Sequence, residues 1–398
     1  MLRTVLGTFE HPLLYDLNLS LIGFSILSST AYQGVYGAMQ IPVGIILDKF
    51  GLKKVLSLAI MACAFSVLCF AATRQFNSAF VFRLLMGLGS SFGFIGLLVV
   101  VYDWMPSNKI GLFIGMSQFI GTLGPMIAAG PLNAIAESGG LSWRLVFLCL
   151  GIFGICLSVL VFIYVENNRD FAGSFQILKR SAPMKNMLMN LIKQPQVWFI
   201  GLYSASIYFT IEYLSENSGK TFLMLHGYSS QSSSNLITLS WLGYAIGCPF
   251  LGWLSDLICR RKIILVTAAV ISFISVLIIV YTPSYFALVC VGFFALGFGA
   301  SGQSVAFATI AEQCESSYRA AGLGFNNAFI VVLASINAPL IAGILNQFKH
   351  VNSALTIGDY QWAFIVLITF VAISLLTSCF LIKETYCKSA KSSTKLQY

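Results

Sequence analysis

Eleven apolar runs dominate this chain, at 20–47, 55–73, 78–102, 110–136, 143–165, 197–214, 232–255, 263–281, 285–311, 320–345 and 360–382. A helix of about 20 apolar residues crosses the hydrocarbon core of a bilayer. Few folds remain open to such a chain. In lipid every backbone N–H and C=O must be satisfied within the protein, and at these run lengths that means helices. Composition agrees, with 58% hydrophobic and 9% charged residues, where soluble domains carry about a quarter charged. The formal charge of +9 is therefore a question of membrane topology and gives no support to nucleic-acid binding.

Two of the runs end alike. The first leads into Gly44, Asp48, Lys49, Gly51, Lys53 and Lys54, and the seventh into Gly252, Asp256, Arg260, Arg261 and Lys262, with both the Gly and the Asp pairs 208 apart. Gly87-Leu88-Gly89 and Gly297-Phe298-Gly299 are 210 apart, and Trp143 and Glu166 match Trp362 and Glu384. An internal repeat of this period divides the chain into two halves. Clustered lysines mark the cytoplasmic exit of a membrane helix. With both clusters inside, 17 of the 23 Lys and Arg residues face the cytoplasm, 5 (Arg3 among them) fall in outer segments, and Arg83 lies within a run. A glycine about one turn inside the boundary lets a neighbouring helix approach. An aspartate at the edge can pair with a basic side chain or with the N-terminal end of another helix.

The first copy resembles, at every defined position, the loop signature G-x-x-x-D-[RK]-x-G-x-[RK]-[RK] of the major facilitator superfamily. The second departs from it at Leu257 and Cys259. This resemblance implies an all-α integral membrane protein of two pseudo-symmetric six-helix bundles, in the plasma or inner membrane. Residues 1–165 and 197–382 would form the bundles, 166–196 a cytoplasmic linker and 383–398 a polar, disordered cytoplasmic tail. Part of the linker reads equally as a solvated connection or as an amphipathic surface helix, with Met184, Met187, Met189, Leu191 and Ile192 beside Lys185 and Lys193. Subtracting 208 from the run at 197–214 puts its counterpart at about −11 to 6, so eleven of twelve helices are expected here, with only the tail of the first. The resemblance also implies that the signature acids and their basic neighbours hold the halves in one of two alternating conformations.

Ionisable side chains inside a span are costly and mark function by default. Arg83, with Gly87 and Gly89 behind it, looks like the superfamily's second signature, whose arginine the family places toward the cavity and links to proton coupling. Snorkelling to the outer interface is the plainer alternative. Glu212 lies near the outer end of its run, with Glu216 one turn on. If the resemblance holds, Arg83 and Glu212 face one cavity, where a cation and an anion suit a zwitterion or Glu212 takes a proton. The plainer reading makes Glu212 and Glu216 interface carboxylates beside Lys220. Neutral polar candidates are Gln303 and Asn327 first, then Gln33, Gln118, Asn326 and Asn337, with Tyr208, Tyr32, Tyr36 and Tyr244 nearby. Such residues orient a polar solute or bond neighbouring helices. Gly121, Gly124, Pro125, Gly130 and Pro131 partly resemble the superfamily's antiporter signature, but Ala128-Ala129 replaces its double glycine, and we read them as packing.

No metalloprotease, Walker or nucleophile-elbow motif is present, and His11, His226 and His350 fall in outer loops. The ten cysteines show neither a disulfide framework nor C-x-x-C spacing. The reading is a monomeric secondary transporter with no cofactor, in contact with lipid and moving a small polar solute by alternating access. An amino acid or short peptide carried with protons comes first. Organic acids are the alternative, and a non-transporting receptor-like or truncated relative is a third class.

Overall fold

A computed structural model describes residues 1–50, 52–105, 109–137, 141–165, 189, 191–282, 285–314, 319–351 and 355–388. The chain opens with short helices α1 (Val5–Thr8), α2 (Glu10–Asp16) and α3 (Leu21–Ser25), then a π-helical turn (Ile26–Thr30) that runs into α4 (Ala31–Phe50). The first half continues with α5 (Leu52–Ala71), α6 (Phe76–Trp104), α7 (Ile110–Ala129), α8 (Pro131–Glu137) and α9 (Trp143–Tyr164). The second half holds α10 (Pro195–Glu216), α11 (Gly219–Leu225), α12 (Ser230–Ile258), α13 (Arg261–Tyr281), α14 (Phe286–Ala300), α15 (Gly302–Gln313), α16 (Arg319–Val351) and α17 (Ile357–Leu376). Among the described residues ten helices are long and apolar enough to cross a membrane, or eleven if the bent pair Glu10–Asp16 and Leu21–Gln40 is one span.

The repeat is visible in the packing. In the first half α6 packs on α4 and α5, and in the second α14 packs on α12 and α13. The glycine pairs explain why the sequence repeats there: a Cβ at Gly87 would strike the Tyr32 carbonyl of α4, and one at Gly297 the Ser240 carbonyl of α12. Gly89 and Gly299 meet α5 and α13 in the same way. The halves join along two seams, α4 on α16 and α7 on α12. Because α4 corresponds to α12 and α7 to α16, these seams are repeat-related copies of one contact. Close approach at the second seam again uses glycine, with Gly115 against the Cys248 carbonyl and Gly252 against that of Gly111.

Three expectations need adjustment. Residues 1–19 do more than end a helix, since the short helices α1 and α2 lie among the buried residues of the first half, with Val5, Leu6, Phe9 and Leu13 in its core. The chain after Glu384 is held at its start: Thr385 Oγ1 donates to Glu312 Oε2 at 2.5 Å, and the Cys387 thiol reaches the Ser255 carbonyl. Of the linker, 166–188 and 190 lie outside the described residues, while Leu191 is fully buried in the core and Ile192 accepts the Trp198 indole N–H at 2.7 Å.

Candidate functional site

The centre is built on α10, the most buried of the spans. Tyr208, Glu212 and Glu216 follow one another at intervals of four residues, which stacks them on one face of a helix. Glu212 and Glu216 are only 2% and 1% exposed. Across from them stands Arg3, delivered by the segment ahead of α1. Its Nη1 lies 3.1 Å from Glu212 Oε1 and its Nε 2.8 Å from Glu216 Oε1. Arg3 Nη2 also donates to Tyr208 Oη at 2.6 Å, and the guanidinium lies 5.5 Å from that ring's centroid. Gln33 of α4 donates its amide to both carboxylates, at 3.1 and 3.0 Å. Glu212 Oε2 has no partner among the described residues. Gly7 lets this segment pass α10, since a Cβ there would meet the Ser215 carbonyl.

Beside this network is a cavity of about 200 Å³. Arg3, Gln33, Tyr36, Tyr208, Trp241 and Tyr244 are among its walls. The rings of Tyr208, Trp241 and Tyr244 form one aromatic wall, with centroids 5.5 to 6.3 Å apart. Two carboxylates withdrawn from water and one guanidinium that is 23% exposed carry one excess negative charge if both acids are ionised. Such an excess is costly away from water, and one proton removes it. The chemistry on offer is therefore a guanidinium for an acid and a carboxylate pair for a proton.

The residues picked from sequence are distributed unevenly around this centre. Tyr208 and Glu212 belong to the network. Arg83 is fully buried but turned away from the cavity: it donates to the carbonyls of Leu27 at 3.1 Å, Leu2 at 3.0 Å and Ser28 at 2.9 Å, and sits 4.7 Å from the Tyr32 ring centroid. It thus holds the π-helical turn and the N-terminal segment, and the cation beside Glu212 is Arg3. Gln303 on α15 accepts the Tyr244 hydroxyl at 2.5 Å. Asn327 on α16 donates to Gln40 of α4 at 2.7 Å and so bonds the first seam. Arg3 was passed over because its segment reads as an outer tail. The 208-residue offset places it level with residue 211, and that was the available signal. Trp241 had none, since an indole in an apolar run reads as core.

At the other end of the second seam stands the second signature. Asp256 takes Arg261 at 2.7 Å and, across the seam, the backbone N–H of Leu112 in the first turn of α7 at 3.0 Å. Arg261 also pairs with Glu312 at 2.7 Å, and Glu384 accepts the backbone N–H groups of Arg261 and Lys262. Arg260 is the exposed N-cap of α13. Cys259 ends α12 in the left-handed region, at φ 50° and ψ 37°, which is why a glycine suits that position of the pattern. In the first copy, Lys53 and Lys54 open α5. Gly51 and the side chains of Gly44, Asp48 and Lys49 lie outside the described residues.

Comparison with known proteins follows the same lines. The Major Facilitator Superfamily profile matches twice, over residues 1–233 and 199–396. A probable galactarate/D-glucarate transporter of Bacillus subtilis (strain 168) is 27% identical over 89% of this chain and 84% of its own length. A hexuronate transporter of the same organism is 23% identical over 63% of this chain and 62% of its own. A bacterial homologue of the human lysosomal transporter Spinster, solved inward-facing and occupied, superposes with a TM-score of 0.66 at 16% identity, covering 96% of this chain and 92% of that one.

Proposed function

The chain belongs to the major facilitator superfamily and is an integral membrane transporter, and we propose that its solute is a small organic anion moved together with a proton. The observation that carries this reading is Arg3, the one cationic side chain among the described cavity walls. The names of the relatives support it, since the two described above carry sugar acids. They support an amino acid or peptide less well.

Charge balance supports the proton. Arg3 spends three of its five N–H groups on Glu212, Glu216 and Tyr208, so a solute carboxylate gains more of the guanidinium when one of the acids lets go. Protonating that carboxylate frees Arg3 and leaves the site's net charge unchanged when the anion enters. One proton per solute charge is the stoichiometry that keeps the net charge of the site constant as the solute enters.

The test is uptake of radiolabelled D-glucuronate into liposomes containing the purified protein, with and without a pH gradient. Accumulation driven by the gradient and lost in Arg3→Ala is the expected result. Uptake of an amino acid or dipeptide in place of the sugar acid, or uptake indifferent to Arg3→Ala, would overturn the proposal.

A further inference from the structure

Resting on the organic-anion reading, the geometry points to Trp241 as the residue that sets which acid is carried: a monocarboxylate whose body has a ring face and an acceptor oxygen, in preference to a dicarboxylate. Trp241 is 1% exposed, it lines the cavity, and its indole N–H has no partner among the described residues. A buried donor left unmade is costly, and an occupant of the cavity that offers an acceptor removes that cost. Two neighbouring donor groups are already engaged. The Tyr244 hydroxyl goes to Gln303, the Arg3 guanidinium to Glu212, Glu216 and Tyr208. The indole N–H is thus a buried donor on the aromatic wall left for a solute, beside the Tyr208 hydroxyl, which accepts from Arg3.

The rest of the cavity decides between one carboxylate and two. Arg3 can take one. The second arginine of this region, Arg83, is spent on three backbone carbonyls and the Tyr32 ring, and it is not among the cavity walls. A second carboxylate would therefore face Trp241, Tyr244, Pro125 and Val331, with no second cationic side chain among the described walls to answer it, and an unpaired buried charge is strongly disfavoured. The aromatic wall instead suits the C–H face of a ring, as amphipathic aromatic surfaces do. The volume, about 200 Å³, equals that of about seven liquid waters, which fits one small ring acid.

Three acids separate the possibilities, with dissociation constants measured by calorimetry on the purified full-length protein. D-Glucuronate has a ring, ring oxygens and one carboxylate. Cyclohexanecarboxylate keeps the ring and the carboxylate but lacks the oxygens, and galactarate has two carboxylates. In the wild type glucuronate should bind at least about tenfold tighter than galactarate. In Trp241→Phe, which keeps a ring and loses the N–H, glucuronate should weaken about five- to tenfold, the size of one hydrogen bond. Cyclohexanecarboxylate should change less than twofold, which also reports that the variant is folded. Galactarate binding as tightly as glucuronate, equal losses for both ring acids in Trp241→Phe, or failure of cyclohexanecarboxylate to bind the wild type would each overturn the inference while leaving an anion transporter standing. If none of the three acids binds, the organic-anion reading falls with it.

Discussion

Replacing Arg3 with alanine removes the one cationic side chain that, among the described residues, pairs with Glu212 and Glu216, and the structure lets the size of the effect be worked out. The two ion pairs, at 3.1 and 2.8 Å, involve carboxylates that are almost fully buried. Breaking such a pair from one side costs about 3–5 kcal/mol, because a charge is left behind without compensation. In Arg3→Ala that charge is limited by proton uptake and by the two bonds from Gln33, so the protein should fold with a lowered melting temperature. Solute binding has no such escape. Losing the guanidinium partner of a buried carboxylate is worth about 2–5 kcal/mol, or about thirtyfold to a few thousandfold in the dissociation constant.

Gradient-driven uptake of D-glucuronate should accordingly fall to background, and Arg3→Lys should recover only part of it. An ammonium is a point charge, and it cannot reach both carboxylates and the Tyr208 hydroxyl with the geometry of a planar fork. The triple variant Arg3→Ala, Glu212→Gln, Glu216→Gln separates stability from function: it should regain much of the lost melting temperature and none of the uptake. Uptake by Arg3→Ala within twofold of wild type would refute the reasoning, since the site would then have no need of its cation.

Three further outcomes follow from the geometry. Arg83→Gln strips donors from three buried carbonyls, so it should lower stability by about 2–4 kcal/mol, seen as a lower melting temperature, while the folded fraction binds glucuronate within about threefold of wild type. Cys259→Gly relieves a side chain held at φ 50° and should raise stability by about 0.5–1 kcal/mol in the same melt. Asp256→Ala removes the acceptor of the Leu112 N–H across the α7–α12 seam. A capping bond of this kind is worth about 1 kcal/mol, so maleimide labelling of the seam residue Cys248, with the other nine cysteines replaced, should speed up about fivefold.

Most of the architecture was legible because membrane physics leaves so few choices. Run length gave the spans, and the 208- and 210-residue offsets gave the halves, since a repeat must preserve the residues that touch equivalent neighbours. Gly87 and Gly297 are the plainest instance: each is glycine because a carbonyl of the equivalent partner helix leaves no room for a Cβ. The site was harder to read. Arg83 has the burial of a functional arginine but spends its donors on the π-helical turn, and spacing cannot tell a guanidinium aimed at carbonyls from one aimed at a solute. Arg3 lay in a segment with no apolar run to locate it. Glu212 could be found because an ionisable side chain inside a span is costly, and Tyr208 because a tyrosine within a span can orient a polar solute.

Which groups hold the site together bears on how it moves. Arg3 and Gln33 come from the first half of the chain, Tyr208, Glu212 and Glu216 from the second, so this network is itself a tie between the halves. It lies near the end of α10 that is remote from Asp256 and Arg261, whose bond to Leu112 ties the halves at the other end of the cavity. Thr30 adds to the first tie by donating to the Ser335 carbonyl of α16 at 2.9 Å. In the alternating access that the resemblance implies, opening either side would break the tie on that side while the other persists. On the Arg3 side, a solute carboxylate that takes the guanidinium from a protonated glutamate substitutes for one of the bonds the tie is made of. Binding and rocking would then draw on the same interactions, and a variant that releases Arg3 without a solute, Glu212→Gln with Glu216→Gln, should rest open on that side.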